Sequence, residues 1–411
     1  MNQDNIRERF LRNPFPFVEE AREILKEVVK RTPVDHTNTF SRILKGDVYL
    51  KKEVLQSTGS FKIRGAYNKI YHLPDSVRKK GVVACSTGNH AQGVAYAASL
   101  FEVPATIVMP KTTIPPKVEA TRGYGAKVIL RGNNLTEAYE YAMRLVEREG
   151  LTLIHPFNDP YIIAGQGTIG FEVMEDVPDT EVIVVPVGGG GLITGIAVAA
   201  KGINENVAVW GVQAKGACSF YISRKAGKIM EIPHVHTIAD GIAVKTPGDI
   251  TLELSKRYVD DMTVVDDEEI SGAILMLMER SKLVVEGAGA ASLAAAIYGK
   301  FSVEGRVATF VLSGGNIDMM MVSKIVEKGL LKSGRILTLR LLLADRPGVL
   351  TEVLSVISEM EGNVREINLQ RVSPLAPLNH TIVEITVETK GCEHSRQILH
   401  HLKERGIKIL R

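Results

Sequence analysis

The chain has 411 residues, 45% of them hydrophobic and 24% charged, enough apolar material for two or three packed domains. Its basic and acidic residues nearly balance, for a formal charge of +3, and no basic run is interleaved with aromatics, so no nucleic-acid partner is expected. Cys85, Cys218 and Cys392 lie too far apart for a disulfide framework or a CxxC metal site, and no stretch approaches the roughly eighteen apolar residues of a membrane span. A cytoplasmic protein with no membrane partner is the expectation.

After a charged start, Val18, Ala21, Ile24, Leu25, Val28 and Val29 share one helical face, which predicts an amphipathic helix over 18–29. Strand-like runs at 81–85, 105–109 and 127–130 alternate with helical stretches, and the alternation returns at 182–187, 207–212 and 306–312. Continuous apolar runs that exit through glycine suit parallel strands covered on both faces, so the first 330 residues are predicted to be α/β, in two lobes with a cleft between them. Past a short hinge expected at 329–334 the pattern changes. A strand at 336–344, a helix at 349–360, strands at 364–372 and 380–388, a helix at 393–405 and a strand at 407–410 make a ferredoxin-like βαββαβ domain over 335–411.

Four consecutive glycines, Gly188, Gly189, Gly190 and Gly191, follow the strand at 182–187 and precede a helical stretch that opens at Leu192. Without side chains, successive backbone N–H groups can turn inward on an anion, and the helix N-terminus behind them adds a favourable dipole. A tight strand-to-helix turn needs only one or two glycines, so a phosphate cradle is the preferred reading. No Gly-Lys-Ser/Thr follows, which argues against a nucleoside triphosphate. A literal GxGxxG at Gly165, Gly167 and Gly170 lacks the preceding strand of a dinucleotide fold. It is assigned to a helix packed closely on a neighbour through small residues.

Lys62 ends the run Ser57-Thr58-Gly59-Ser60-Phe61-Lys62. A lone lysine is usually a solvated surface group. Its neighbours Phe61, Ile63 and Gly59 point instead to a helix start entering a lobe interior, where desolvation lowers the pKa and leaves a nucleophilic amine. Ser86, Thr87, Gly88, Asn89 and His90 follow the strand at 81–85 and open a helix. One such residue is explained by capping, but five in succession at a strand's C-terminal end offer N–H groups and hydroxyls suited to a carboxylate. Leu312-Ser313-Gly314-Gly315-Asn316 is a second exit of this type, with the Ser313 hydroxyl on offer.

Taken in order, S-F-K-I-R-G-A at 60–66, S-T-G-N-H-A-Q-G at 86–93, G-G-G-G-L at 188–192 and L-S-G-G-N at 312–316 resemble the threonine and serine dehydratases of the tryptophan-synthase-β class (fold type II) of pyridoxal-phosphate enzymes, over about residues 15–330. The resemblance implies a catalytic domain over 1–330, with a small lobe of about 50–152 inserted into a large one, and pyridoxal 5′-phosphate as cofactor. By the same resemblance Lys62 bonds the cofactor covalently, Phe61 packs beside its ring, Asn89 meets its phenolic oxygen, Gly188 to Leu192 hold its phosphate and Ser313 faces its pyridine nitrogen. Lys62, Ser313 and Thr87 are the implied catalytic residues, and Ser86, Thr87, Gly88, Asn89 and His90 the substrate loop. The implied reaction is elimination and deamination of L-threonine to 2-oxobutanoate and ammonia, and of L-serine to pyruvate.

A serine racemase on the same scaffold, a replacement enzyme such as threonine synthase, and a non-catalytic amino-acid sensor are the alternatives. Intact Lys62, Asn89 and Ser313 speak against the sensor. Thr87 stands where the racemases tend to carry serine as the acid on the opposite face. Those racemases also hold a divalent metal through acidic residues after the strand that here contains Val212-Gln213; Gln213, Ala217 and Ser219 stand in their place, so no metal site is assigned. Asp345-Arg346-Pro347-Gly348-Val349-Leu350 resembles the turn of ACT domains, which implies an amino-acid effector, isoleucine or valine, and a homodimer or homotetramer.

Overall fold

Apolar β-branched residues fill the strand Val182–Pro186 up to its closing proline, and all five positions are buried, as suits a strand covered on both faces. The structure, a computed structural model, describes residues 3–410 and divides into two compact units, Met1–Ile317 and Asp318–Arg411. The first unit contains β1 (Val34–His36), β2 (Asp47–Lys52), β3 (Val82–Cys85), β4 (Ala105–Met109), β5 (Lys127–Leu130), β6 (Thr152–Leu153), β7 (Val182–Pro186), β8 (Ala208–Ala214), β9 (Asp261–Val265) and β10 (Val307–Leu312). One sheet runs β1-β2-β10-β7-β8-β9, parallel throughout except for the edge strand β1. The other, β5-β4-β3-β6, is wholly parallel and makes a smaller lobe.

The strands expected from apolar runs form within a residue or two of their predicted limits. The first predicted helix is displaced: it spans Phe15–Leu25 rather than 18–29. Pro16 sits in its opening turn, where a missing N–H costs nothing, and the chain turns after Leu25, whose carbonyl accepts from the N–H groups of both Val28 and Val29. The GxGxxG glycines lie on the helix Pro160–Asp176, in the packing role expected of them. A Cβ on Gly167 would come 2.7 Å from the Gly195 carbonyl oxygen, and one on Gly165 2.6 Å from that of Arg64. The helix Pro160–Asp176 therefore touches the helices Gly191–Ile203 and Lys62–Tyr71 backbone to backbone.

The helix Lys62–Tyr71 is also fixed by charge. Arg64 is wholly buried and donates from Nε and Nη2 to the buried Glu53 at 3.0 and 2.8 Å, and from Nη1 and Nη2 to Glu172 at 2.6 and 2.9 Å. Lys51, buried on β2, donates to Glu172 and to the Thr32 carbonyl oxygen. Two cations thus face two carboxylates, and the cluster joins β2, the turn after it and two helices.

The second unit begins with the helix Met319–Lys332, so the segment 329–334 expected as a hinge is helical as far as Lys332. Its strands are β11 (Ile336–Ala344), β12 (Asn363–Gln370), β13 (His380–Glu388) and β14 (Lys408–Ile409), paired antiparallel in the order β12-β13-β11-β14. The helices Val349–Glu359 and Cys392–Glu404 bury Val353, Ile357, Ile398 and Leu402 against Leu341 and Ile385 of the sheet. This is the expected βαββαβ order.

Replacing Glu53 by Gln keeps the shape but removes one of the two charges facing Arg64. Leaving a buried cation half-compensated costs about 3–5 kcal/mol, which urea unfolding should report as an earlier midpoint. A loss below about 1 kcal/mol, the range of exposed pairs, would show that Arg64 is not held as described.

Candidate active site

The loop before Lys62 and the loop after β10 pair like a short piece of antiparallel sheet. Ser60 bridges Gly314, Phe61 N–H donates to the Ser313 carbonyl oxygen at 3.2 Å, and Gly315 N–H donates to that of Gly59 at 2.9 Å. Residues more than 250 apart in the chain are thereby set side by side, with Lys62 opening its helix beside Ser313. The Lys62 amine donates to the Pro156 carbonyl oxygen at 2.8 Å and lies 5.1 Å from the centre of the Phe61 ring. Burial disfavours the ammonium form and lowers the Lys62 pKa to about 8, the charge of Glu286 opposing the shift in part.

Lys62 and Ser313 open on a cavity of about 900 Å³ between the two lobes, which every site residue named from the sequence also lines: Phe61, Ser86, Thr87, Gly88, Asn89, His90, Gly188, Gly189, Gly190, Gly191 and Leu192. The glycine run needs its composition. Gly190 has φ +94° and a Cβ there would fall 2.1 Å from the Phe220 ring, while one on Gly189 would fall 2.4 Å from the Phe157 ring. The run's carbonyls are engaged: Gln213 Nε2 donates to Gly188 at 3.3 Å, Thr251 Oγ1 to Gly189 at 2.7 Å and Thr194 N–H to Gly190 at 3.0 Å. Because a trans peptide points its N–H opposite to its carbonyl, the N–H groups that follow face the cavity.

His90 is used differently from its neighbours. Its Nε2 lies 2.8 Å from the Ile154 carbonyl oxygen, so the imidazole serves the packing of the small lobe and only the helix-opening backbone remains for a ligand. Burial lowers its pKa to about 3, and burial likewise lowers that of His155, beside it in the cavity wall, to about 4, so both rings are neutral. Among the lining residues missed in the sequence are Lys117, Asp240 and Glu286. Lys117 of the small lobe pairs with Asp240 of the large one across the cavity. Glu286, 3% exposed, accepts from Asn89 Nδ2 at 2.6 Å. An isolated acid in the apolar run Val284-Val285-Glu286-Gly287-Ala288 was a signal available for the last.

The donor set fits pyridoxal phosphate. It offers an amine with a pKa lowered to about 8 for an aldehyde, a cradle of N–H groups for a phosphate, the second Nδ2 hydrogen of Asn89 for a phenolic oxygen, and the nearly buried Ser313 hydroxyl for a ring nitrogen. The family model for pyridoxal-phosphate-dependent enzymes matches residues 25–314, and that for the ACT domain residues 333–405. The chain belongs to the pyridoxal-phosphate-dependent enzymes.

Among the enzymes it is similar to is the L-threonine ammonia-lyase of Thermotoga maritima, 50% identical over 392 residues that cover 95% of this chain and 98% of that protein. Among solved structures it resembles threonine deaminase isoform 2 of Solanum lycopersicum, with a TM-score of 0.75 and 35% identity over 80% of this chain and 90% of that one. It also resembles maize serine racemase, with a TM-score of 0.73 and 39% identity over 77% and 98%. As a pyridoxal-phosphate enzyme of fold type II with a C-terminal ACT domain, the chain takes pyridoxal 5′-phosphate as its cofactor. At the place where acidic residues were sought, Gln213 Oε1 accepts from Tyr221 N–H at 2.8 Å and Ser219 Oγ donates to the Val244 carbonyl oxygen at 2.7 Å.

Only the unprotonated Lys62 amine attacks the cofactor aldehyde, so uptake of pyridoxal phosphate by the apoprotein should accelerate as pH rises and level off above about 8. Stopped-flow absorbance from pH 6 to 10.5 measures this. A rate still climbing at pH 10 would mean that the amine is as basic as an exposed lysine.

Proposed function

We propose that this enzyme converts L-threonine to 2-oxobutanoate and ammonia, and L-serine to pyruvate and ammonia, under the control of an amino acid bound to its C-terminal unit. The observation that carries this reading is the pairing, across two joined loops, of the segments bearing Lys62, whose pKa is lowered to about 8, and Ser313, the residue that the resemblance assigns to the ring nitrogen. Identity of 50% to the T. maritima L-threonine ammonia-lyase over nearly the whole chain supports the choice of substrate.

Bound in the cavity, the cofactor supplies an electron sink for charge that develops at the substrate α-carbon. Lys62, once the substrate amine took its place, would be the base that takes the α-proton, and its lowered pKa leaves a larger unprotonated fraction near neutral pH than an exposed lysine has. Ser86, Thr87, Gly88, Asn89 and the His90 backbone bind the substrate carboxylate through hydroxyls and N–H groups at the start of the helix Asn89–Leu100. Gly188, Gly189, Gly190, Gly191 and Leu192 hold the phosphate, Asn89 the phenolic oxygen, and Phe61 shields the ring from water. Ser313 bonds the ring nitrogen but, being a hydroxyl, does not protonate it as a carboxylic acid would. A cofactor held in this way would draw charge less deeply into its ring, which would favour loss of the β-hydroxyl over return of the α-proton.

The first 330 residues make the catalytic part, with a small lobe of about 50–152, and 335–411 the regulatory part. In the latter, Gly348 caps the helix Val349–Glu359 at φ +92°, and the space where its Cβ would stand is open, which leaves room for the side chain of isoleucine or valine. A homodimer or homotetramer in the cytoplasm completes the reading; among the described residues no helix is long and apolar enough to cross a membrane. The likeness to maize serine racemase, with Thr87 in the cavity wall, supports a second reading in which Thr87 returns a proton to the α-carbon.

Lys62→Ala should abolish 2-oxo acid formation from threonine and serine while leaving the fold intact by circular dichroism; turnover retained in that variant, with cofactor bound, would sink the mechanism. Chiral chromatography of the serine reaction decides the second reading, which stands only if D-serine accumulates. Isoleucine or valine should change the threonine response of the full chain several-fold, a coupling of about 1–3 kcal/mol. Gly348→Leu, which fills the loop, should suppress that response and keep the uninhibited rate. An equal response in both proteins would place the effector elsewhere.

A further inference from the structure

Glu286 caps the helix Gly287–Ile297 and projects into the cavity wall, where Asn89 alone donates to it among the side chains of the described residues. Its place is built rather than incidental. Gly314 lies so close that a Cβ there would come 2.5 Å from Glu286 Oε1 and 3.0 Å from Asn89 Nδ2, so the glycine after Ser313 makes the space in which the two groups meet. On its other side Asn89 is held by Asn316, whose Nδ2 donates to Asn89 Oδ1 at 2.8 Å and to the Thr58 carbonyl oxygen at 2.9 Å. Asn316 can only donate at that point and Glu286 can always accept, which fixes which end of the Asn89 amide is which. One Nδ2 hydrogen goes to Glu286, and the second is left for the cavity.

We propose that Glu286 is a positioning residue that acts through Asn89, holding its amide toward the phenolic oxygen of the cofactor and coupling the cofactor's electronic state to its own protonation. The proposal deepens the reading above and rests on its placement of Asn89. The charged groups around Glu286 are Lys62 on the helix Lys62–Tyr71, Asp240 in the turn Asp240–Ile242 and Lys117 on the helix Pro115–Gly123. Burial, then repulsion from Asp240, raise the Glu286 pKa to about 8, and the Asn89 hydrogen bond, Lys117 and Lys62 oppose this only in part. At neutral pH Glu286 is therefore mostly an uncharged acid, and above about pH 8 it places a negative charge beside Asn89 and Lys62.

Glutamine separates the two roles, because its carbonyl still accepts from Asn89 but cannot titrate. The absorbance of the bound cofactor in the wild-type holoenzyme, followed from pH 6 to 10, should show a transition near 8 that Glu286→Gln loses, and the pH profile of kcat/KM should lose the same step. Cofactor affinity, measured by titrating each apoprotein, should fall about tenfold in Glu286→Ala, which lacks the acceptor, and stay within about threefold of wild type in Glu286→Gln. Superposable absorbance titrations of wild type and Glu286→Gln would overturn the proposal. So would equal cofactor affinity in all three proteins. A cofactor spectrum indifferent to Asn89→Ala would overturn the placement of Asn89 and this proposal with it, whereas failure to form a 2-oxo acid from threonine, with the Glu286 titration intact, would overturn the substrate assignment alone.

Discussion

Arg64 has no access to water, and a guanidinium in that position is tolerable only because two carboxylates meet it in forked geometry. Glu53 reaches it from the turn after β2 and Glu172 from the helix Pro160–Asp176, while Lys51 neutralises the remaining charge of Glu172. The helix Lys62–Tyr71 cannot turn or slide without pulling the cation off its partners. Gly165 adds a steric limit on the same helix, since nothing larger fits against the Arg64 carbonyl. Lys62 stands two residues before Arg64, so the position of the reactive amine is inherited from a charge cluster outside the cavity.

Burial then shapes the chemistry on the cavity side of that helix. Desolvation is the largest influence on Lys62, His90, His155 and Glu286, and in each it favours the uncharged form. It brings the lysine pKa down to about 8, so that a fraction of the amine is free base near neutral pH, keeps both imidazoles from adding positive charge beside it, and holds the glutamate mostly as an acid. The two imidazoles and the protonated glutamate thus add little charge beside the amine. Lys117 and Asp240 pair with one another where the lobes meet.

The glycine run shows the same division of labour between backbone and packing. The rings of Phe157 and Phe220 occupy the places where side chains on Gly189 and Gly190 would lie, and the carbonyls bond outward to Gln213, Thr194 and Thr251. Gln213 links this loop to the amide of Tyr221 through the other end of its own side chain, fully buried. The glycine run is therefore braced from behind by β8 and by the helix Ser219–Ala226 that follows it.

What could be read from the chain alone were features that depend on neighbouring residues. Apolar runs placed β3, β4, β5, β7, β8 and β10, because a buried strand needs an uninterrupted apolar stretch. The βαββαβ order of 335–411 followed from local periodicity, and the glycine run and the serine-rich strand exits were legible as cavity-lining segments because their composition exceeds what a turn requires. Lys62 was legible as a buried amine of lowered pKa only through its apolar neighbours and the motif they form. The limits of the first helix were not legible, since a turn stabilised by the Leu25 carbonyl overrode the apolar face that continues to Val29. Nor was the use of the His90 ring, whose partner is 64 residues away, or the meeting of Glu286 with Asn89 across 197 residues. Spacing in sequence carries no record of such pairs. They exist because the parallel sheets bring distant strand exits to one edge, where burial and a single hydrogen-bond acceptor decide which polar group meets which.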